Sequence, residues 1–284
     1  MRKVIITSDS TCDLSKELIE KYDIKIVPLY INLGNNSYKD SLELTTKELY
    51  EKIEAKEGFP KTSATTPDDF YKFFKPFLDE GCDIIYTGIS SSMSCTFQNA
   101  HIAKAELNTE HIYLVDSQNL STGIGLILLK AATYRDKGMS ASEIKDKMEE
   151  IIPKVRAQFV LERLDYLYKG GRCSGMSYFI CSTLRIKPYI KVENGKMIVA
   201  KKAIGPMKKG LNIMIEDFQS KINDIDKEFL FITHSEAEES RKYIEEKIKD
   251  EIPQFENTNV TEAGCVVSGH CGKGCIGILL SLIH

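Results

Sequence analysis

Four stretches of this sequence gather hydroxyls, glycines and a cation where a ligand could be held. Lys61-Thr62-Ser63-Ala64-Thr65-Thr66-Pro67 puts four hydroxyls just before a predicted helix whose first position is proline, so it could hydrogen-bond a carboxylate at that helix's positive end. Capping alone explains Thr66 but does not call for the other three. Gly88-Ile89-Ser90-Ser91-Ser92-Met93-Ser94-Cys95-Thr96 repeats the construction after a short apolar strand. A catalytic serine could sit there, but the Gly-x-Ser-x-Gly elbow is missing around Ser94 and no oriented base is identifiable. Binding is the better functional reading, and a serine-rich cap is the plain one.

In Lys169-Gly170-Gly171-Arg172-Cys173-Ser174, two glycines allow a tight turn and Arg172 could offer paired donors to an anion, although a surface arginine after a turn is the commoner case. Gly269-His270-Cys271-Gly272-Lys273-Gly274 reads as a glycine-flanked loop carrying a histidine before the last apolar strand. A further cluster, Ser8-Asp9-Ser10-Thr11-Cys12-Asp13, follows the first strand, either as a cap and turn or as a ligand contact. His101, His111, His234 and His284 have no such settings and read as ordinary residues. Gly123 and Gly125 lack the third glycine of a dinucleotide fingerprint.

The elements that must position these stretches alternate between short Val/Ile/Tyr-rich runs and helical periodicity, the pattern of an α/β fold. Strands are expected at Val4 to Ser8, Ile24 to Leu33, Asp83 to Thr87 and His111 to Val115. Helices are expected at Ser15 to Tyr22, Thr45 to Ala55, Pro67 to Glu80, Ser94 to Leu107 and Thr122 to Lys137. This gives a mostly parallel sheet over residues 1–155. From 156 to 284 the pattern becomes a mixed sheet with helices: strands at Arg156 to Leu161, Phe229 to Thr233, Asn259 to Gly264 and Cys275 to Ser281, a hairpin turning at Asn194 and Gly195, and helices at Pro206 to Lys221 and Glu236 to Asp250. Ligands of open α/β sheets lie beyond the carboxyl ends of the strands, which is where the hydroxyl-rich stretches fall.

Composition narrows the function. The 284 residues are 42% hydrophobic and 28% charged with a formal net charge of -3, and the absence of a basic stripe argues against nucleic acid. Apolar runs such as Ile276 to Leu280 fall far short of the ~20 residues of a membrane span. Met1 to Ser10 runs straight into a strand pattern without a signal-peptide layout, so a cytoplasmic location with reduced thiols is expected. Cys12, Cys82, Cys95, Cys173 and Cys181 are scattered and read as small apolar residues. Cys265, His270, Cys271 and Cys275 match no common zinc spacing, so no metal is expected.

Asp9-Ser10-Thr11-Cys12-Asp13-Leu14, Thr62-Ser63, Ser90 to Ala100, Asp116-Ser117, Gly170-Gly171-Arg172 and Gly269-His270, in this order and spacing, resemble the DegV family over essentially the whole chain. The resemblance implies a two-domain protein that buries the tail of one long-chain fatty acid in the interdomain cleft. In many bacteria such a protein is the binding subunit of a fatty acid kinase feeding phospholipid metabolism, with the partner kinase supplying phosphate from ATP. It implies no catalytic residue and no cofactor. Carried over, the fatty-acid-binding residues are Thr62 and Ser94 as hydroxyl donors to the carboxylate, Arg172 and His270 in the surrounding network, and Ser63 as a backbone or hydroxyl neighbour. The sequence departs from the family pattern at Cys95, at Cys271 and Lys273, and at Ile204. Cys95 and Lys273 bear on the head-group end and Ile204 on docking to a kinase. Two other readings stand beside this one: an acyl or phosphoryl transferase using Ser94 or Cys95 as nucleophile with His270 as base, and a carrier of another amphipathic anion.

Overall fold

The computed structural model describes residues 2–172 and 186–284; the readings of Cys173 and Cys181 fall outside the described residues. Up to Asn108 the chain runs β1 (Val4–Asp9), α1 (Lys16–Lys21), β2 (Ile24–Val27), β3 (Tyr30–Leu33), β4 (Asn36–Lys39), α2 (Thr46–Glu54), β5 (Lys61–Ser63), α3 (Pro67–Asp79), β6 (Asp83–Tyr86) and α4 (Thr96–Leu107). It continues through β7 (Ile112–Leu114), α5 (Thr122–Asp136), α6 (Ala141–Ile151), β8 (Val155–Val160) and α7 (Asp165–Gly170). The last elements are β9 (Ile186–Glu193), β10 (Lys196–Ile204), α8 (Met207–Gln219), β11 (Phe229–His234), α9 (Glu238–Lys247), β12 (Asn257–Glu262), α10 (Cys265–Cys271) and β13 (Ile276–Ser281).

The α/β class is as read from the sequence. β2-β1-β6-β7 form a sheet that is parallel throughout, and β10-β9-β8-β13-β11-β12 form a mixed sheet, parallel only between β11 and β12. The expected hairpin turns at Asn194 (φ 48°) and Gly195 (φ 74°), the two left-handed positions that suit the twist of its strands. The strand expected over Ile24 to Leu33 is two strands instead. Pro28, with no N–H to donate, breaks the ladder, and the chain passes from β2 to β3 in a separate antiparallel sheet, β4-β3-β5. That small sheet was not foreseen, and neither were α7 and α10; the segment read as a histidine loop is α10 with His270 in its last turn.

One helix explains how the two larger sheets share a core. α5 packs against β1 on one side and against β8, β11 and β13 on the other. Its residues from Thr122 to Leu129 are all buried, as fits a helix with no polar face. Ile6 and Ile85 from the parallel sheet, Ile124 to Leu129 from α5, and Phe159, Phe231 and Leu279 from the mixed sheet form one contiguous apolar cluster. The described residues contain no helix long and apolar enough to cross a membrane.

Candidate functional site

The polar stretches converge because each ends an element that abuts the same space. Thr62 lies on β5, Met93 and Ser94 on the turn between β6 and α4, Arg172 just past α7, and His270 on α10; all line one cavity with about 850 Å³ of empty space, open to solvent. Its remaining wall is largely apolar: Phe159, Met197 and Leu279 come from the mixed sheet, Leu167, Val266 and Val267 from α7 and α10, and Leu29, Ile89 and Leu120 from loops that follow strands of the parallel sheet. A largely apolar cavity with a few convergent polar groups is the usual form of a small-molecule site.

His270 anchors the polar group. Its Nε2 lies 2.9 Å from Thr62 Oγ1, while Nδ1 is buried with no partner among the described residues. Burial, and then the positive charge of Arg172, push the imidazole pKa down to about 4, so the ring is neutral near pH 7. An orphaned lone pair is tolerated better than an orphaned N–H, which puts the proton on Nε2 and makes Thr62 Oγ1 its acceptor. The Thr62 hydroxyl proton is then free to point into the cavity. Gly170 is what lets the ring sit there, because a methyl group in its place would lie 2.3 Å from Nδ1.

Ser94 caps the turn into α4: its Oγ accepts from the Thr96 amide at 3.2 Å and lies 2.8 Å from Thr96 Oγ1. Arg172 is exposed; its guanidinium donates to the Gly170 carbonyl at 2.6 Å and reaches the Met93 carbonyl at 3.5 Å. Donors at that end of the cavity are therefore a free hydroxyl, a capping hydroxyl and a guanidinium, a set suited to a carboxylate.

Ser63 does not join them. It is the next residue on β5 after Thr62, so its side chain points to the other face, where it is exposed and its Oγ accepts from Asn32 Nδ2 at 2.6 Å. Cys95 is exposed at the start of α4 and absent from the cavity wall; Lys273 also lies off the wall, paired with Glu236 at 2.8 Å. Cys271 does line the cavity, and Ile204 is 54% exposed at the end of β10. Among the described residues no hydrogen bond joins Ser94 or Cys95 to His270, so no nucleophile and base are paired, and no group of three His, Cys, Asp or Glu side chains is placed to hold a metal.

Two parts of the wall were not legible as such. His234, read as an ordinary residue, lines the cavity together with Thr233 and Ser235 at the end of β11. The Ser8 to Asp13 cluster is a buried network, with only Thr11 facing the cavity. Asp9 takes up the Thr11 amide and hydroxyl through Oδ1 and the Tyr86 hydroxyl and Ile89 amide through Oδ2.

The DegV family model matches residues 3–282. This chain belongs to the DegV family. A DegV domain-containing protein of Clostridium acetobutylicum is 35% identical over 278 residues, covering 98% of both chains, and one of Clostridium perfringens is 37% identical over 276 residues, covering 96% of both. Among solved structures, a DegV family protein of Thermus thermophilus described for its fatty acid binding superposes with a TM-score of 0.91 at 27% identity over the whole of both chains. DegV of Bacillus subtilis, described as a fatty acid binding protein, superposes with a TM-score of 0.87 at 26% identity, covering 99% of this chain and all of the other. The fold read from the sequence is thus the DegV fold.

Proposed function

We propose that this chain binds one long-chain fatty acid non-covalently, tail in the apolar cavity between its two halves and carboxylate toward Thr62, Ser94 and Arg172, and presents that carboxylate to a separate kinase in the cytoplasm. The observation that carries the reading is a largely apolar cavity whose wall also carries Thr62, Ser94, His270 and Arg172. The fatty acid binding described for the Thermus and Bacillus proteins supports it. His270 acts by holding Thr62 so that its proton faces the ligand, and Ser63 takes no part.

Burying about fifteen methylenes at ~0.8 kcal/mol each contributes on the order of 12 kcal/mol before the costs of association and ordering, so the tail supplies affinity. The polar end supplies orientation. Phosphorylating a carboxylate needs a phosphoryl donor, which on this reading the partner kinase holds; the DegV chain then requires neither a cofactor nor a nucleophile of its own.

The deciding experiment is native mass spectrometry of the purified protein, followed by denaturing extraction of what it carries. A mass increment of one fatty acid, released without covalent attachment, supports the reading. A covalent adduct at Ser94 supports acyl transfer instead, and an amphipathic anion of another class supports a carrier of that anion. Adding an ATP-dependent fatty acid kinase and looking for acyl phosphate tests the partner.

A further inference from the structure

α10 is seven residues long and reads Cys-Val-Val-Ser-Gly-His-Cys, with two β-branched residues and a glycine among poor helix formers. It is held at its start by two buried carboxylates from far away in sequence. The Gly264 amide donates to Asp13 Oδ1 at 2.9 Å and the Val266 amide to Asp40 Oδ1 at 3.3 Å. The other oxygen of Asp13, Oδ2, lies 2.5 Å from Ser121 Oγ. Ser121 lines the cavity and has the strained backbone conformation φ 52°, ψ −146°, which persists only where its surroundings enforce it. Asp13 is itself left-handed at φ 51° and sits behind the cavity wall.

We propose that Asp13 is a positioning residue for ligand binding: its carboxyl group ties Ser121 in the wall to the start of α10, and so fixes where α10 presents His270 to Thr62. This rests on the fatty-acid reading above. The groups that face Asp13 are Asp9, Cys12, Asp40, Cys265 and Cys275, every one an acid or a thiol. Among the described residues no ion pair reaches Asp9, Asp13 or Asp40, and Asp40 Oδ2 is buried without a partner. Burial, opposed by the bonds from Ser121 and Gly264, lifts the Asp13 pKa to about 8, so near pH 7 it is the neutral acid.

The neutral acid still accepts from Gly264 through Oδ1 and keeps its contact with Ser121 Oγ through Oδ2. Ionised, the same group puts a charge beside Asp9 and Asp40 that the bonds from Ser121 and Gly264 offset only in part, so water is drawn in and the tie between Ser121 and α10 loosens. Asparagine reproduces the neutral acid, with its carbonyl toward Gly264 and its amide toward Ser121, and cannot ionise.

The test is oleic acid binding to the full chain from about pH 6 to about pH 9, with the His270 ring resonances of the ligand-free protein followed over the same range. Wild type should lose affinity, and the His270 signals should move, as pH passes about 8, where His270 itself no longer titrates. Asp13→Asn should bind within a few-fold of wild type at neutral pH and show neither change, whereas Asp13→Ala should bind roughly tenfold more weakly throughout. An Asp13→Asn profile that tracks wild type overturns the proposal, as does a folded Asp13→Ala with unchanged affinity; if Asp13→Ala does not fold, the asparagine profile decides. A wild type that binds no oleic acid overturns the fatty-acid reading alone, because the His270 resonances still report on Asp13.

Discussion

Thr62 Oγ1 and His270 Nε2 meet at 2.9 Å across 208 residues of chain, joining an edge strand of the small antiparallel sheet to the last turn of α10. Among the described residues neither group has another hydrogen-bond partner, and His270 Nδ1 has none at all. The pair is therefore both the closure between two distant segments and the source of a free hydroxyl proton at the polar end of the cavity.

Thr62→Val removes that proton and leaves both nitrogens of a buried imidazole without partners. Losing a hydrogen bond to a buried carboxylate and orphaning a ring N–H each cost about 1 to 3 kcal/mol, so fatty acid affinity should fall at least about fivefold. Equilibrium binding of oleic acid to the folded variant measures it, and unchanged affinity would remove Thr62 from the site.

pH acts on the site through two groups with opposite signs. His270 has its folded pKa lowered from 6.5 to about 4, so the unfolded chain binds the extra proton first; its contribution to stability is complete above pH 6.5 and is lost as pH falls through about 4. Asp13 has its folded pKa raised from 3.8 to about 8, so its contribution is complete below pH 3.8 and is lost as pH rises through about 8. Denaturant unfolding should show His270→Gln flattening the acid limb and Asp13→Asn flattening the limb toward pH 8, with neither variant affecting the other's limb.

Gly170→Ala probes the approach of the ring. Its backbone is helical, where alanine is favoured, yet its new methyl would lie 2.3 Å from His270 Nδ1. The imidazole must shift away from Thr62, and ligand affinity should fall while thermal stability changes little. A crystal structure of the variant with the Thr62 to His270 contact intact would contradict this account.

Arg172→Ala removes an exposed guanidinium whose bonds among the described residues are to two nearby carbonyls. Substitutions at such positions usually stay within about 0.5 kcal/mol of wild-type stability. Binding of the fatty acid anion should weaken several-fold, with the loss shrinking as salt is raised. Binding of a fatty alcohol of the same length should be unaffected; an equal loss for both would deny the arginine a role in charge recognition.

What could be read from sequence tracks how locally each feature is determined. The Asn194-Gly195 hairpin and the cap at Thr66 are specified by neighbours a few residues away and appear where expected, while Ser15 and Thr45, read as the first residues of their helices, cap them instead. Thr62, Ser94, Arg172 and His270 were singled out by the ordered resemblance to the DegV family, since each stretch alone read equally as a cap, a turn or a loop, and all four line one cavity. Ser63 shows the limit of that reasoning: strand alternation turns it outward beside a residue that faces in. α10 was illegible because its helicity comes from Asp13 and Asp40, 251 and 226 residues away from the amides they hold, and its own residues argue against a helix. The Pro28 break was written plainly, but an apolar run on both sides of it hid the change of sheet.

The burial of α5 on both sides bears on what can be separated from what. A cut near residue 155 would leave the parallel sheet carrying a helix whose outward face, normally laid on β8, β11 and β13, is bare hydrocarbon, and would leave the mixed sheet with the matching face uncovered. Each fragment would be sticky and short of core, so the chain is indivisible in practice although its sheets are drawn from separate stretches. The cavity inherits that property: its two walls are fastened to opposite sides of one rigid rod, and a ligand can prise them apart only by bending around α5 rather than by hinging freely at the linker.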